Sequence, residues 1–271
     1  MKKEKYVDNR KGHLKEYAEG KGMPIGGTYN YKGTIVTRDH ILKIEDGQTK
    51  CEVVEKYNVL EGIDRDLLAT KLHRDAHHLN SSQILCYNFF RPYIDENGGA
   101  SQSLVDLLLN QGIPIEKGAK CTFEYKDDLG DGTQFDFHIK SGETEVFFEI
   151  KYTENSFASY SKESSARTQY KERYAVQFGK QNCLVEKPQD EDDFIKKAKN
   201  DYQLYRNAVR ITDKKKYLVL LYPGENESVE EQAKAFVETK VKPEYQENIK
   251  RVYWENIVDK ESELYKKYFA E

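Results

Sequence analysis

Three charged side chains interrupt two short apolar segments in the middle of the chain. Asp136 lies in TQFDFHIK (133–140), and Glu149 and Lys151 lie in EVFFEIKYT (145–153). Burying an unpaired carboxylate or ammonium costs several kcal/mol, on the order of the net stability of a whole domain. The three charges therefore either face solvent or serve a function.

Alternation along a strand places these charges on one side of a predicted hairpin. Asp136 falls on the polar face of the first strand, and Glu149 and Lys151 share a face of the second. The opposite face of the first strand is apolar and carries Phe135, Phe137 and Ile139. If the turn at Ser141-Gly142 pairs the two strands, the two carboxylates and the ammonium converge.

Two carboxylates beside one ammonium suit the hydrolysis of a phosphodiester. Two carboxylates can hold Mg²⁺, which keeps several waters and also binds a phosphate oxygen of the substrate. The metal lowers the pKa of a bound water and neutralises charge that develops on the phosphorus. A neighbouring lysine can orient the attacking water or stabilise the developing charge.

The spacing Glu-x-Lys carries little information by itself, because 33% of the residues are charged. It occurs four times, at Glu19/Lys21, Glu124/Lys126, Glu149/Lys151 and Glu238/Lys240. The third instance differs in context, since it lies in a strongly apolar segment that follows, across a tight turn, the segment carrying Asp136. The alternative interpretation is a solvated sheet face with cross-strand ion pairs.

The elements that must position these residues follow one another in a definite order. A helical pattern covers about 64–111, with N-caps at Asn80-Ser81-Ser82 and at Ser101. A long helix at 190–211 precedes a buried strand at 216–223, and a helix between two strands implies a parallel crossover. Between these regions, glycine turns separate three strands of an antiparallel meander, at 121–126, 133–140 and 145–153.

The predicted fold class is α/β (α+β), with an αβββαβ core and a central mixed sheet flanked by helices. Residues 1–62 are predicted to form an extension that contains β-structure, with a hairpin around Asp46-Gly47. Residues 63–271 form the main domain, with its core at about 73–223. Charged surface helices are predicted within 227–271, at 227–240 and 255–269.

Charge and composition exclude several classes of protein. The 271 residues carry 43 Lys and Arg against 47 Asp and Glu, which excludes a wholly basic nucleic-acid binder but allows a local positive groove. Scattered cysteines without a C-x-x-C pair indicate reduced thiols. Because the chain shows neither an apolar signal segment nor a run of about 18 apolar residues, we expect a cytoplasmic protein that does not span a membrane.

Two further groups of residues admit more than one interpretation. The basic, tyrosine-bearing segment 159–181 either contacts phosphates or forms a solvated loop. His73 and His77 stand four residues apart, as metal ligands on a helix do. Because no nearby cysteine or further histidine completes a site, structural roles are favoured for them and for His78.

The order of elements and the motif resemble the PD-(D/E)XK nuclease superfamily, which has the restriction-endonuclease-like fold. The motif is Asp136 followed by Glu149-Ile150-Lys151, on the second and third strands of the core. Phe135 stands where members usually have proline. Two further stretches, AHHLNSSQILCYNFF (76–90) and YQLYRN (202–207), are similar to segments of bacterial restriction endonucleases in this superfamily, and the resemblance covers about 73–223.

The resemblance implies roles for particular residues. Asp136, Glu149 and the carbonyl of Ile150 would bind Mg²⁺, for which Mn²⁺ can substitute, and Lys151 would be the catalytic lysine. Gln203 matches a polar position that often faces such a site. An extra acidic residue often comes from the first helix, where 80–95 offers only Asp95, so Glu124 is its expected substitute.

Four more residues are expected substrate contacts, each with a structural alternative. Ser82 and Gln83 either touch the site or DNA, or belong to the cap of a helix. His138 shares the face of Asp136, and Arg206 is otherwise an ordinary helix-surface residue.

The predicted function is that of a Mg²⁺-dependent endonuclease on DNA, of the restriction or defence type. The resemblance implies in-line attack by water and ends with 5′-phosphate and 3′-hydroxyl groups. Cutting both strands requires two active sites, so a homodimer is expected. Two alternatives remain open: a non-catalytic nucleic-acid-binding or regulatory module on the same fold, and a nuclease for RNA or branched DNA.

Overall fold

The computed structural model describes residues 3–60, 72–130, 132–160, 162–180 and 183–270. The chain divides into two compact units, a terminal unit (residues 1–93 with 254–271) and a central unit (94–253). The predicted boundary at residue 62 and the start of the helical pattern at 64 fall outside the described residues.

The helices and strands of both units follow in chain order. The helices are α1 (Lys3–Gly20), α2 (Lys50–Val53), α3 (Ser82–Phe90), α4 (Gln102–Leu109), α5 (Glu163–Gln169), α6 (Ala175–Lys180), α7 (Glu191–Ala198), α8 (Tyr202–Ala208), α9 (Glu227–Lys240), α10 (Trp254–Ile257) and α11 (Glu263–Tyr268). The strands are β1 (Ile25–Tyr31), β2 (Thr34–Leu42), β3 (Lys120–Lys126), β4 (Gln134–Ser141), β5 (Thr144–Ile150), β6 (Lys216–Tyr222) and β7 (Ile249–Tyr253). None of the described helices is both long enough and apolar enough to cross a membrane.

The central unit is built on a mixed sheet with the strand order β3-β4-β5-β6-β7. β3, β4 and β5 form the predicted antiparallel meander, and β6 joins β5 in parallel after the predicted helical crossover. β7 pairs in parallel with β6 and was not predicted. The predicted mixed α/β sheet is therefore confirmed, with one more strand than expected.

Two interior strands of the sheet, β5 and β6, leave little room for polar residues. The last five residues of both β5 and β6 are buried, as expected of strands covered on both faces. Within this run Glu149 is only 3% exposed, between Phe148 and Ile150. A carboxylate at that position must be compensated by donors that the rest of the central unit supplies.

The single helix predicted at 190–211 is wrong, because a break divides it into α7 and α8. Asp190 caps α7 by accepting a hydrogen bond from the N–H of Asp193 at 2.8 Å. The break lies at 199–201, where Gln232 of α9 donates to the Asn200 carbonyl at 2.6 Å and to the Asp201 carboxylate at 3.0 Å. Asn and Asp compete with helical hydrogen bonds, so this pair ends one helix and begins the next.

The basic segment 159–181 is not a solvated loop. It forms α5 and α6, joined by a π-helical turn at Tyr170–Tyr174. Its buried side chains recur every four residues, at Ala166, Tyr170, Tyr174 and Phe178. Basic residues occupy the other faces of these helices. The segment is therefore amphipathic, with its tyrosines on the buried face, and the sequence prediction missed this pattern.

The hairpin predicted around Asp46-Gly47 is also wrong, although the predicted β-structure of this region is confirmed. The hairpin joins β1 to β2 through Lys32 and Gly33, whose φ values of 50° and 88° suit a two-residue turn that requires positive φ. Gly47 makes a turn, but Thr49 and Glu52 then form a reciprocal capping box that starts α2. A helix therefore follows where a strand was expected.

The first element of the terminal unit, α1, was not predicted. Its buried residues follow a single narrow stripe at every fourth position, Tyr6, Arg10, Leu14 and Ala18. With Arg10 in the stripe, the sequence lacks the wide apolar face that marks a helix.

Two predicted helix caps are confirmed, one in each unit. Ser81 accepts a hydrogen bond at the start of α3, and Ser101 accepts one at the start of α4.

A buried lysine organises the polar interior of the terminal unit. Lys267 is fully buried and donates to the Asn58 carbonyl and to its side-chain oxygen, the latter at 2.9 Å. Asn58 in turn donates to the Ala76 carbonyl at 2.8 Å. Burial lowers the pKa of Lys267 to about 7, partly opposed by the charge of Glu263.

This burial predicts a pH-dependent stability. Because the folded-state pKa of Lys267 lies near 7 and its unfolded value near 10.5, the unfolded chain binds more protons between these values. The free energy of unfolding should therefore rise with pH in this window, by roughly 2–4 kcal/mol from this group. Chemical denaturation of wild type and Lys267→Met between about pH 7 and pH 10 measures the effect.

Lys267→Met should flatten this rise, whereas Lys266→Met, at the exposed neighbouring position, should keep it. A wild-type pH profile in the Lys267→Met variant would contradict the assignment.

Candidate active site

The predicted site lies on β4 and β5, and these two strands separate at Asp136. Main-chain pairing of β4 with β5 runs only as far as Phe137 with Phe148. Beyond it, the Asp136 carboxylate accepts a hydrogen bond from the Ile150 N–H at 2.7 Å. A side-chain oxygen thus replaces a main-chain acceptor, at the point where the register brings Asp136 next to Glu149.

The strict alternation expected along β4 breaks at the same place. Phe137 packs on Phe148, with ring centroids 5.5 Å apart, as expected for one apolar face. Phe135, predicted on that same face, instead packs on Phe147 at 4.8 Å and joins the cluster formed with the crossover helices. The predicted shared face of Phe135 and Phe137 is therefore wrong, because the main-chain pairing with β5, and with it the alternation, ends at Phe137.

The Glu149 carboxylate is surrounded by three donors. Oε1 accepts from the Lys151 ammonium and from the Gln203 amide, each at 2.6 Å. Oε2 accepts from the Asn207 amide at 2.9 Å. A carboxylate oxygen has two lone-pair positions, so Oε2 keeps acceptor capacity beyond its bond to Asn207.

Asn207 was missed at the level of sequence. It is fully buried and stands four residues after Gln203, so that both amides project from one face of α8. The signal that could have found it is this spacing, in which a second amide follows the predicted one by a single helical turn.

Electrostatics at Asp136 is unfavourable to its charged form. Burial and then the charge of Glu149 raise its pKa well above the ordinary value, and Glu124 adds to this. The Lys151 ammonium and the Ile150 N–H act in the opposite direction without cancelling the effect. Burial and the neighbouring carboxylates therefore outweigh the lysine in setting this pKa.

Lys151 lies at the centre of these carboxylates and is 8% exposed. Burial opposes its charge, but the carboxylates of Glu149, Glu154 and Asp136 raise its pKa above the ordinary value. The ammonium is therefore held in its charged form. The structure thus brings together the predicted set of Asp136, Glu149, Lys151 and Gln203.

Gln203 also joins α8 to the segment that follows β5. Its side-chain oxygen accepts from the Ala158 N–H, and its own N–H donates to the Ala158 carbonyl, both at 3.1 Å. The amide nitrogen is thereby turned towards Glu149. The side chain is fixed at both ends and holds the carboxylate in one orientation.

Glu124 stands opposite Asp136 in the register of β3 and β4, between the pairs Phe123 with Phe137 and Tyr125 with Phe135. It is 6% exposed, accepts a hydrogen bond from Gln134, and has a φ of 50° within a strand. Such a conformation is strained for a residue with a side chain. Glu124 therefore lies next to Asp136, at the position expected for an additional metal-binding carboxylate.

An ion pair between Arg210 and Asp127 holds the end of α8 in place. The sequence analysis did not predict it. Arg210 donates to Asp127 at 2.8 and 3.2 Å, and to the Arg206 carbonyl at 2.6 Å. Its side chain is 3% exposed and its guanidinium lies 5.6 Å from the Phe135 ring centre. The pair ties the end of α8 to the segment after β3.

The remaining predicted contacts lie in different surroundings. His138 is buried and stacks on Tyr125 with centroids 3.8 Å apart, and burial lowers its pKa to about 4. Arg206 is partly exposed on α8. Ser82 and Gln83 belong to the terminal unit, where Ser82 starts α3 and Gln83 accepts from the His73 N–H at 2.9 Å.

His73, His77 and His78 do not lie on a helix, because residues 74–77 form a turn. His77 and His78 are largely buried, with ring centroids 4.7 Å apart. Burial lowers the pKa of both, that of His78 to about 4. These rings are therefore neutral at physiological pH.

The oxygen donors of the site suit a hard cation. The N–H and C=O of one strand residue point to the same edge, so the Ile150 carbonyl points towards β4, as does the N–H bound by Asp136. Within the described part of the chain no three His, Cys, Asp or Glu side chains form a ready metal cluster. Mg²⁺ needs only one or two carboxylates and otherwise keeps its waters, so Asp136 and Glu149 suffice.

One family model matches residues 11–271, nearly the whole chain, and is described as "Restriction Endonuclease associating with ARP" (REase-ARP). No curated protein and no solved structure matches the chain.

The raised pKa of Asp136 predicts that this carboxylate destabilises the metal-free protein. Above the ordinary value of 3.8 the unfolded chain releases the proton more readily, so stability falls as the pH rises. Asp136→Asn should therefore raise the free energy of unfolding by about 1–2 kcal/mol near pH 7 without divalent ions. The gain should vanish near pH 4, as denaturant titrations at several pH values would measure.

Asp128→Asn, at an exposed position, is the matched control and should change neither stability nor its pH profile. An Asp136→Asn variant less stable than wild type at every pH would show that the charge is not the dominant cost.

Proposed function

We propose, because the chain belongs to the REase-ARP family of restriction endonucleases, that it is a metal-dependent endonuclease that hydrolyses DNA. As a member of this family the chain is a nuclease. The observation that carries the finer proposal is the buried carboxylate of Glu149, held by Lys151, Gln203 and Asn207 beside Asp136.

The arrangement supports membership of the PD-(D/E)XK superfamily. Asp136 lies on the second strand of an antiparallel meander, and Glu149 and Lys151 lie at the end of the third. A helical crossover then leads to a parallel fourth strand. A solvated sheet face with ion pairs is disfavoured, because Glu149 and Lys151 are both buried.

Asp136, Glu149 and the Ile150 carbonyl would hold Mg²⁺ or Mn²⁺, with Glu124 as a further candidate ligand. The fit rests on the chemistry of the donor set, because two neighbouring carboxylates and a main-chain carbonyl are the oxygen ligands that Mg²⁺ accepts. When bound, such an ion supplies a water of lowered pKa and neutralises charge on the phosphate.

Each side chain of the proposed site then has a separate task. Lys151, held in its charged form by the surrounding carboxylates, orients the attacking water and stabilises the charge that develops on the phosphate. Gln203 and Asn207 prevent Glu149 from rotating, so its free lone pair keeps one direction. The water attacks the phosphorus in line with the leaving oxygen.

The partners proposed are DNA and a second copy of this chain, since cutting both strands needs two active sites. The family description also names association with ARP, so a partner of that kind is proposed for this chain.

Cleavage of plasmid and genomic DNA, methylated and unmethylated, tests the proposal. Glu149→Gln and Lys151→Met should each lower the rate by at least about a hundredfold, because each removes a charge next to the reacting phosphate. Glu145→Gln is the matched control, since Glu145 lies on the same strand but pairs at 2.8 Å with Lys140 and with Lys216. It should keep the wild-type rate.

The outcomes separate the alternatives. Cutting with Mg²⁺ or Mn²⁺ that is lost in both variants supports the proposed site, and discrete fragments support sequence-specific restriction. DNA binding without cutting would favour a non-catalytic module. Cutting of RNA or branched DNA alone would replace the proposed substrate.

A further inference from the structure

A polar cleft of about 240 Å³ lies beside the proposed active site. One wall belongs to α8 and the other to the segment from Ala158 through α5. Gln203 lines the cleft and also donates to Glu149, so one side chain borders the cleft and contacts the proposed site.

The described lining of this cleft carries two cations, Lys162 and Arg206, and no Asp or Glu. A larger cleft of about 540 Å³ in the central unit has four lysines, but three carboxylates share its walls. In a chain with 47 acidic and 43 basic residues, a cationic surface without any carboxylate is informative. The smaller cleft is therefore the better anion site.

Arg206 has the chemistry to bind a phosphate. Its guanidinium lies 6.0 Å from the Tyr202 ring centre, and its buried Nε has no hydrogen-bond partner. A guanidinium presents a rigid fork of donors that matches two phosphate oxygens. Tyr202 is itself fixed, because its hydroxyl donates to Gln169 and lies 3.3 Å from the Tyr174 hydroxyl.

We propose that this cleft holds a backbone phosphate of the DNA, next to the phosphate at which the strand is cut. This proposal rests on the proposed function. Arg206 is the main contact and Lys162 adds positive charge. The arrangement sets the register of the DNA on the site but reads no base, because phosphate contacts carry no sequence information. Gln203 couples the two places, since the same side chain lines the cleft and orients Glu149.

Salt-dependent DNA binding by the full-length chain tests this subsite. In a Glu149→Gln background without divalent ions, the affinity for a short fluorescent duplex is measured over a range of salt concentrations. Arg206→Gln should make the slope of log K against log salt shallower by about 0.9, the value for one phosphate contact. Affinity at low salt should fall roughly tenfold, equally for duplexes of different sequence.

Two further variants separate a phosphate contact from other effects. Arg206→Lys should keep the slope but weaken binding, because it retains the charge and loses the fork. Lys199→Gln, which removes one charge from the larger cleft, should keep the slope of the parent. A purely structural role of Arg206 would lower the thermal midpoint and leave the slope unchanged.

Failure of the subsite and failure of the proposed function give different results. If wild type cuts DNA and Arg206→Gln binds with the parental slope, the subsite is wrong and the function stands. If wild type does not cut DNA and the parent does not bind it, both proposals are overturned.

Discussion

The buried carboxylate of Glu149 is the constraint on which the central unit depends. It lies on a strand that is paired at both edges, and only 3% of the residue is exposed. A charge in this position persists only if surrounding donors offset the loss of water. The required donors come from Lys151, directly after the end of β5, and from Gln203 and Asn207, more than fifty residues later.

Two of those donors lie on α8, in the crossover between β5 and β6, so this helix must pack next to Glu149. The break at 199–201, held by Gln232, starts a new helix at Tyr202, and the two amides then project from one face of it. Arg210 secures the other end of that helix on Asp127. These contacts hold Gln203 and Asn207 within hydrogen-bond distance of Glu149 without any bound substrate.

Asp136 shows the opposite balance, because its surroundings disfavour its charge. Proteins keep such unfavourable groups where function requires them and compensate elsewhere in the fold. Here the compensation is the buried apolar sheet, in which Phe137, the residue after Asp136, packs on Phe148 and holds β4 on β5. The paired carboxylates and the cleft lined by Lys162 and Arg206 are complementary in chemistry, the first suited to the proposed metal ion and the second to an anion.

The sequence by itself determined the strands of the meander and the buried strand after it, and it predicted Asp136, Glu149 and Lys151 as neighbours on two of those strands. These follow from local signals, since apolar alternation and glycine turns depend on neighbouring residues. Gln203 was expected only from the family resemblance. Only the tertiary structure decided where alternation fails at Asp136, where the 190–211 helix breaks and which second amide reaches Glu149. Those outcomes depend on contacts between residues far apart in the chain, such as Gln232 with Asp201 and Asn207 with Glu149. No local pattern encodes such contacts, so packing alone selects them.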